Sequence, residues 1–550
     1  MSISTSERAH PSDAHLSDVA LDGHGLAVED IVSIARDPAG PLVTLAPEAA
    51  DAIAASNALK HRLIDSGTPI YGVTSGFGDS SARQVSKRKT GLLQENLIRF
   101  LSSGVGPTAR ADVVRATMTI RANCLARGVS GVRPELVSAL IDMLNADILP
   151  QIPERGSVGA SGDLVPLSYL AGAVTGHGTV THRGRSKPAA EALAECGLSP
   201  QVLEAKEGLA LVNGTSFMSG FAVLALHDAR ELAFAADLCT ALTSQVLLGN
   251  PAHFAPFLFE AKPYQGMLDS AATIREILAA APATEPGIRL SGDADFTELE
   301  RGVQDRYSIR CAPHVTGVLR DTADWAHRLL SVEVNSANDN PLFDVATGTA
   351  GSGGNFYGGH VAQAMDALKT AVAGIGDLLD RQLALVVDEK FNNGLTPNLI
   401  PRVSPEEFEA GLFHGFKGMQ ITASSLAAEA LKWTMPAASF SRSTEAHNQD
   451  KVSMGTIAAR DARSVVELVQ RIAAVHLIAL CQAADLRGLD ELSGPTRAAY
   501  DAVREVCAFL DSDRPMDTAI EQVAGLIHSG ALRGVVEQHT RKADAARAGR

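Results

Sequence analysis

Apolar residues recur every three to four positions through Phe217–Leu248, His360–Lys390 and Thr456–Leu489, three long segments rich in alanine and leucine. Strands rarely run so long, whereas a stripe at this spacing lets a helix bury one side; Val465, Leu468, Val469 and Ile472 fall on one such face. The pattern predicts a mostly α chain with a long-helix bundle at its centre, an architecture that places chemistry where helices face each other. No repeat at a fixed period interrupts it. Residues 1–30, rich in Ser, Asp and His, lack the basic start and apolar run of a signal peptide and read as a flexible tail. The small, charged end Thr540–Arg550 reads as frayed. The expected division is a tail at 1–30, a mixed N-terminal domain at 31–215, the central bundle at 216–490 and a C-terminal helical region at 491–550.

Composition narrows the function classes. A chain of 550 residues that is 45% hydrophobic can bury a large core. Its formal charge, 48 minus 63 or −15, disfavours nucleic acid and anionic membranes as partners, and no basic stripe offsets it. No charge-free apolar stretch is long enough to span a bilayer. Cys124, Cys196, Cys239, Cys311, Cys481 and Cys507 show no Cys-x-x-Cys spacing. They read as reduced small hydrophobes, which implies a cytoplasmic setting. The glycine-rich stretches Gly72–Gly78 and Gly351–Gly359 lack the spacing of nucleotide-binding loops and read as flexible. The histidines show no His-Glu-x-x-His pairing, and a lone one such as His314 reads as structural. Neither a metal nor a nucleotide is expected.

The stretch Gly156-Ser157-Val158-Gly159-Ala160-Ser161-Gly162-Asp163-Leu164 carries different chemistry. In a tight turn the Gly162 nitrogen can attack the Ala160 carbonyl. Loss of two waters then leaves a methylidene carbon from Ser161, in a 4-methylideneimidazole-5-one ring. Side chains supply nucleophiles, so a chain that builds an electrophile can activate a poor leaving group such as an amine. Glycines at 156, 159 and 162 permit strained backbone, Asp163 is placed to cap the apolar run Leu164–Val174, and Pro166 falls in its first turn.

The chain resembles the histidine, phenylalanine and tyrosine ammonia-lyases and their related aminomutases. The likeness runs through YGVTSGFG (71–78), LQENLIRFLSSGVG (93–106), GSVGASGDLVPLS (156–168), EGLALVNGTS (207–216), QDRYSIR (304–310), NSANDNPLF (335–343), GFKGMQ (415–420) and EAHNQDKVS (445–453). The resemblance implies a carbon–nitrogen lyase with the fumarase/aspartase-like long-helix fold and an electrophile made from Ala160-Ser161-Gly162. It also implies a homotetramer with each site assembled from several subunits.

Amine elimination needs a base for a weakly acidic carbon-bound hydrogen, a grip on the carboxylate and an activated leaving group. Tyr71, in a glycine-flanked turn, is by its residues alone an ordinary loop tyrosine or a phenol held close to substrate. The resemblance makes it the catalytic base, provided its pKa near 10 falls or is bypassed. Arg310 offers a planar fork for a carboxylate, and Gln304 and Tyr307 lie on its side if the stretch is helical; the alternative is a surface arginine. By resemblance all three line the site, Asn213 and Asn340 contact the substrate, and Phe356 packs nearby.

Substrate choice turns on a few positions. Phe100 and Leu101 stand where histidine lyases resemble Ser-His and tyrosine lyases His-Leu. An apolar pair suits a bare phenyl ring, since an imidazole or phenol buried beside it goes unpaired. The pair is equally readable as helix core. Gln449 replaces the carboxylate of the histidine-lyase pattern, Lys417 matches the phenylalanine-lyase pattern, and Glu445 shares a face with Gln449 if helical. Lys417 and Glu445 are alternatively a structural ion pair. By resemblance Glu445 sits near the substrate amine. The favoured reading is an L-phenylalanine ammonia-lyase giving trans-cinnamate. The rival is a phenylalanine 2,3-aminomutase, kept open by Gly78-Asp79-Ser80-Ser81 where many lyases have Gly-Pro. Tyrosine or histidine as substrate ranks lower, and a non-catalytic helical assembly protein ranks last.

Overall fold

A computed structural model describes residues 18–278, 292, 295–299 and 302–548. The helices predicted from spacing form close to their expected bounds: Ser216–Val246, Gly359–Val387 and Gly455–Arg487, with a further long helix at Ala312–Glu333. Val465, Val469 and Ile472 are fully buried and Leu468 half-buried, as the predicted stripe requires. Burial of each such side chain contributes roughly 1.5–3 kcal/mol. By length and composition Gly455–Arg487 is apolar enough to cross a membrane, but most of that window is buried inside the protein.

The chain forms two compact units, each made of three segments: 1–223, 329–362 and 438–457 in one, and 224–328, 363–437 and 458–550 in the other. The linear division into 31–215, 216–490 and 491–550 does not match this, because four of the five dividing points fall inside the four long helices and the fifth in the short turn Ala437–Phe440. The tail also ends earlier than expected. Residues 1–17 lie outside the described residues, but Val19–Leu21 pairs in parallel with Val43–Leu45 and a helix spans Val28–Arg36. Its Ile31, Val32 and Ile34 are buried, which ties down residues that polar neighbours made look loose. At the other end the helix Ala531–Ala548 runs through most of the stretch read as frayed.

The first unit is the mixed one. Helices Pro47–Asp65, Thr90–Leu101, Ala111–Ala126, Pro134–Asn145 and Leu164–Val174 accompany short strands, among them Val105–Thr108 against Pro153–Arg155 and Leu342–Asp344 against Thr349–Gly351. Leu59, Ile64, Ile70, Val73, Ala205 and Phe343 form a dry cluster in it. Ile70 and Val73 bracket Tyr71, so the turn carrying that phenol is anchored from below. In the second unit the fully buried His476 shares a 3.0 Å hydrogen bond with Thr243, and desolvation pushes its pKa down to about 3.

Candidate active site

The loop 156–163 joins the strand Pro153–Arg155 to the helix Leu164–Val174. Gly156, Gly159 and Gly162 all have positive φ, at 137°, 68° and 70°. A side chain at Gly162 would run into the Gly214 carbonyl, and one at Gly159 into Ser453 Oγ. The close approach therefore demands glycine.

The loop is clamped on both sides of the Ala160 carbonyl and the Gly162 nitrogen. The Gly159 carbonyl accepts from the Ser453 amide and hydroxyl, both at 3.1 Å. The Ser161 carbonyl accepts from Asn213 Nδ2 at 2.8 Å and from the Gly214 amide at 3.2 Å, and the Asp163 amide donates to the Gly214 carbonyl at 2.7 Å. Neither the Gly162 nitrogen nor the Ala160 carbonyl has a hydrogen-bond partner among the described residues. Fixed flanks and unengaged reacting atoms fit the ring closure expected of Ala160-Ser161-Gly162. Gln449 Nε2 donates to Ser161 Oγ at 3.3 Å, which places that amide beside the serine at the centre of the tripeptide.

Asp163 occupies the N-cap position, but its side chain does not cap the helix. Its carboxylate, fully buried, accepts from Ser157 Oγ at 2.9 Å, from Thr456 Oγ1 and from the Met218 amide at 2.8 Å. Desolvation pushes its pKa up to about 6 against these three donors. It is a brace under the loop rather than a helix cap.

Tyr71 is half-buried and its hydroxyl accepts from the Gly78 amide at 2.9 Å. Burial raises its pKa, the Gly78 amide opposes this, and the Glu445 charge raises it further. The expected lowering is thus absent in the free chain. Gln94, buried and unremarked in the sequence although it sits in LQENLIRF, donates to the Gly72 carbonyl and accepts from the Leu209 amide, each at 2.9 Å. It fastens the Tyr71 turn to the helix Glu207–Val212 that leads into Asn213.

Glu445 and Gln449 do not share a helix. Thr444 pairs with Gln449 across a turn in which Glu445, Ala446 and His447 take φ of 52°, 51° and 65°. Left-handed backbone costs a non-glycine residue roughly 1–2 kcal/mol, so the turn is held by its contacts. One is visible: Glu445 Oε1 accepts from the Asp79 amide at 3.0 Å. Asn340 is buried, with Oδ1 accepting from the Gly353 amide at 2.7 Å, so the glycine-rich stretch 351–359 is pinned where it passes this residue. Phe356, in that stretch, is half-buried. The Phe100–Leu101 pair is split, since successive helix positions face about 100° apart. Leu101 is buried, whereas Phe100 is 63% exposed.

The second unit carries Gln304, Tyr307, Arg310 and Lys417. The predicted helical side through 304, 307 and 310 is not formed, because only Tyr307–Arg310 is helical and Gln304 sits in an exposed bend. Arg310 Nε donates to the Asp305 carbonyl at 3.1 Å, and its guanidinium lies 4.5 Å from the centre of the Tyr307 ring. The ring and Nε contacts orient the fork and leave its two Nη groups without partners among the described residues. Gln382 steadies this turn, donating to the Ser308 carbonyl at 2.8 Å. Tyr307 is 74% exposed. Lys417, exposed, opens the helix Lys417–Lys432. Asp513, which nothing in the sequence singled out, accepts from the His414 and Gly415 amides at 2.8 and 2.9 Å and sets the turn that launches it.

The sequence matches the description of the aromatic amino acid lyases over residues 26–505. The chain belongs to that family. The enzyme is 39% identical to a histidine ammonia-lyase of Gloeobacter violaceus, covering 94% of this chain and 97% of the relative. It is 40% identical to a tyrosine ammonia-lyase of Cupriavidus metallidurans, covering 96% and 98%. Among solved structures it is similar to a tyrosine aminomutase from Streptomyces globisporus, with TM-score 0.89, 36% identity and coverage of 95% and 99%. It is likewise similar to the phenylalanine aminomutase of Pantoea agglomerans, with TM-score 0.86, 34% identity and coverage of 94% and 98%. The enzyme is therefore a mostly α carbon–nitrogen lyase of the ammonia-lyase and aminomutase type, acting on small aromatic amino acids.

Proposed function

We propose that the enzyme is an L-phenylalanine ammonia-lyase that releases trans-cinnamate and ammonia, using a 4-methylideneimidazole-5-one formed from Ala160-Ser161-Gly162. The observation that carries the reading is the clamp on Gly159, Ser161 and Asp163 around unengaged Gly162 N and Ala160 C=O. That group supplies the electrophile that activates the substrate for loss of its amine. Arg310, oriented by Asp305 and Tyr307, grips the carboxylate with its Nη groups. Tyr71 removes the hydrogen beside the ring. Its phenol is held neutral in the free enzyme, so substrate binding must offset the burial that raises its pKa. Asn213 keeps its amide on the Ser161 carbonyl.

Two residues turn the reading towards phenylalanine although relatives carry histidine and tyrosine names. Gln449, a neutral amide, holds the position beside Ser161 where a carboxylate would meet an imidazole. Phe100 offers no hydrogen bond to a phenol. Its exposed ring and that of Tyr307 are the surfaces we assign to neighbouring subunits of a homotetramer. One observation favours the aminomutase as the second reading. The Asp79 amide, a donor that proline lacks, ties the turn after Tyr71 to Glu445, a closure suited to retaining cinnamate and ammonia.

The test is to incubate the purified enzyme with L-phenylalanine, L-tyrosine and L-histidine in parallel, follow cinnamate absorbance and resolve the amino acids by chiral chromatography. Cinnamate without β-phenylalanine is the expected result. Early β-phenylalanine establishes the mutase, and turnover of tyrosine or histidine alone overturns the pocket assignment.

A further inference from the structure

A buried cation stands behind the Asn213 turn, and the proposed elimination makes no use of it. Arg121, on the helix Ala111–Ala126, is fully inaccessible. Its Nη1 donates to the Asn213 carbonyl at 2.6 Å, and its Nη2 to Asn338 Oδ1 at 2.8 Å and to Cys124 Sγ. The guanidinium is thus held by a carbonyl, an amide oxygen and a sulfur rather than by a carboxylate. Burying such a charge is costly, which asks for a reason.

The Asn213 carbonyl it grips belongs to the peptide whose N–H, on Gly214, donates to the Ser161 carbonyl at 3.2 Å. That carbonyl in turn belongs to the peptide whose nitrogen, Gly162 N, must attack Ala160. Cation, Asn213 C=O, Gly214 N–H, Ser161 C=O and Gly162 N–H lie in series, so each peptide unit is polarised by the one before. Only glycine lets the guanidinium sit so close, since a side chain at Gly214 would meet Arg121 Nη1 and Asn338 Oδ1.

Resting on the reading that this loop cyclises, we propose that Arg121 is a positioning residue for ring formation, acting through the Asn213–Gly214 peptide to make the Gly162 N–H more acidic. An amide nitrogen attacks well only once its proton is loosened, which puts negative charge on its carbonyl oxygen. The two donors on Ser161 O stabilise that charge, and Arg121 strengthens one of them. Closure forms the Gly162 N–Ala160 C bond and moves the Gly162 amide proton to the Ala160 oxygen. That oxygen leaves as water with the Ser161 N–H proton. The Ser161 hydroxyl leaves as the second water with the Ser161 Cα hydrogen, and no oxidant is needed. Other titratable groups around this path are Cys124 and Glu333, both pushed towards their neutral forms by burial, Asp339, paired to Lys206 at 2.6 Å, and Asp163.

The test follows the mass of the peptide spanning 156–168 with time after synthesis, in folded wild type, Arg121→Lys, Arg121→Gln and Asn338→Asp. The last keeps the core packed and sets a carboxylate against the guanidinium. Arg121→Lys is expected to mature more slowly than wild type, and Arg121→Gln and Asn338→Asp slower still, by roughly tenfold or more, the effect of about one pKa unit on the amide. Their rates should climb by up to about tenfold per pH unit from pH 7 to 9 as hydroxide takes over the task; a packing defect gives no such rescue. Wild-type maturation rates in Asn338→Asp or in folded Arg121→Gln, or slow maturation that pH does not rescue, overturn the proposal alone. A wild-type peptide that keeps both waters instead overturns the cyclisation reading beneath it.

Discussion

Replacing Asp163 by Asn and by Ala separates the charge of this brace from its hydrogen bonds. The folded chain binds its proton more tightly than the unfolded chain, with a pKa of about 6 against the ordinary 3.8. Wild type is therefore favoured below pH 3.8 and loses stability as the pH climbs through about 6. The full shift is worth about 3 kcal/mol, of which about 2–3 kcal/mol is lost between pH 4 and pH 8. Asn does not titrate. It can turn its oxygen to the Met218 amide and its NH2 to Ser157 and Thr456, whose hydroxyls rotate to accept. Ala orphans the Met218 amide, at about 1–3 kcal/mol, and opens a cavity as well. Urea unfolding by circular dichroism, at matched protein concentration and at pH 4 and 8, reads both effects. The stability difference between Asp163→Asn and wild type should move by about 2–3 kcal/mol in favour of the variant across that range, while Asp163→Ala is destabilised at both pH values. A pH-independent difference, or an Asn variant as unstable as the Ala variant at pH 8, would refute the assignment of a desolvated carboxylate held by three donors.

Glu445→Gln keeps an acceptor for Asp79 but removes a charge that raises the Tyr71 pKa, so the ascending limb of kcat/KM against pH should move to lower pH; no shift, or a shift upward, removes Tyr71 as the base. Asp79→Pro deletes the amide that binds Glu445 and should speed proteolytic nicking of residues 78–89 and lower any β-phenylalanine fraction, both read by mass spectrometry and chiral chromatography. Unchanged nicking and product ratio would show that this contact closes nothing. Phe100→His should raise turnover of tyrosine relative to phenylalanine, and unchanged relative rates take Phe100 out of the ring pocket.

The long helices were legible because burial of a continuous stripe leaves a 3.6-residue period in the sequence, as at Val465, Val469 and Ile472. The tight turn at 156–163 was legible because its signal is local: the glycines at 156, 159 and 162, all at positive φ, that let it bend. What sequence could not show is long-range. Asp163 sits at a helix start, where an aspartate usually caps, but its partners Met218 and Thr456 are 55 and 293 residues away. In the Glu445–His447 turn only His447 is of a type enriched in left-handed backbone, and Glu445 and Ala446 are not, so the residue types do not mark the run of three. The helical side through 304, 307 and 310 failed for the opposite reason, since spacing alone cannot nucleate a helix and only Tyr307–Arg310 forms one. Arg121, Gln94 and Asp513 act by holding backbone, a role that leaves no motif.

The most direct test of the central claim is the mass of the native peptide spanning 156–168, with Ser161→Ala as control. A wild-type peptide short of two waters beside a Ser161→Ala enzyme that folds, lacks the deficit and has lost nearly all turnover is the predicted result. An unmodified peptide from enzyme that still turns over its amino acid would contradict it.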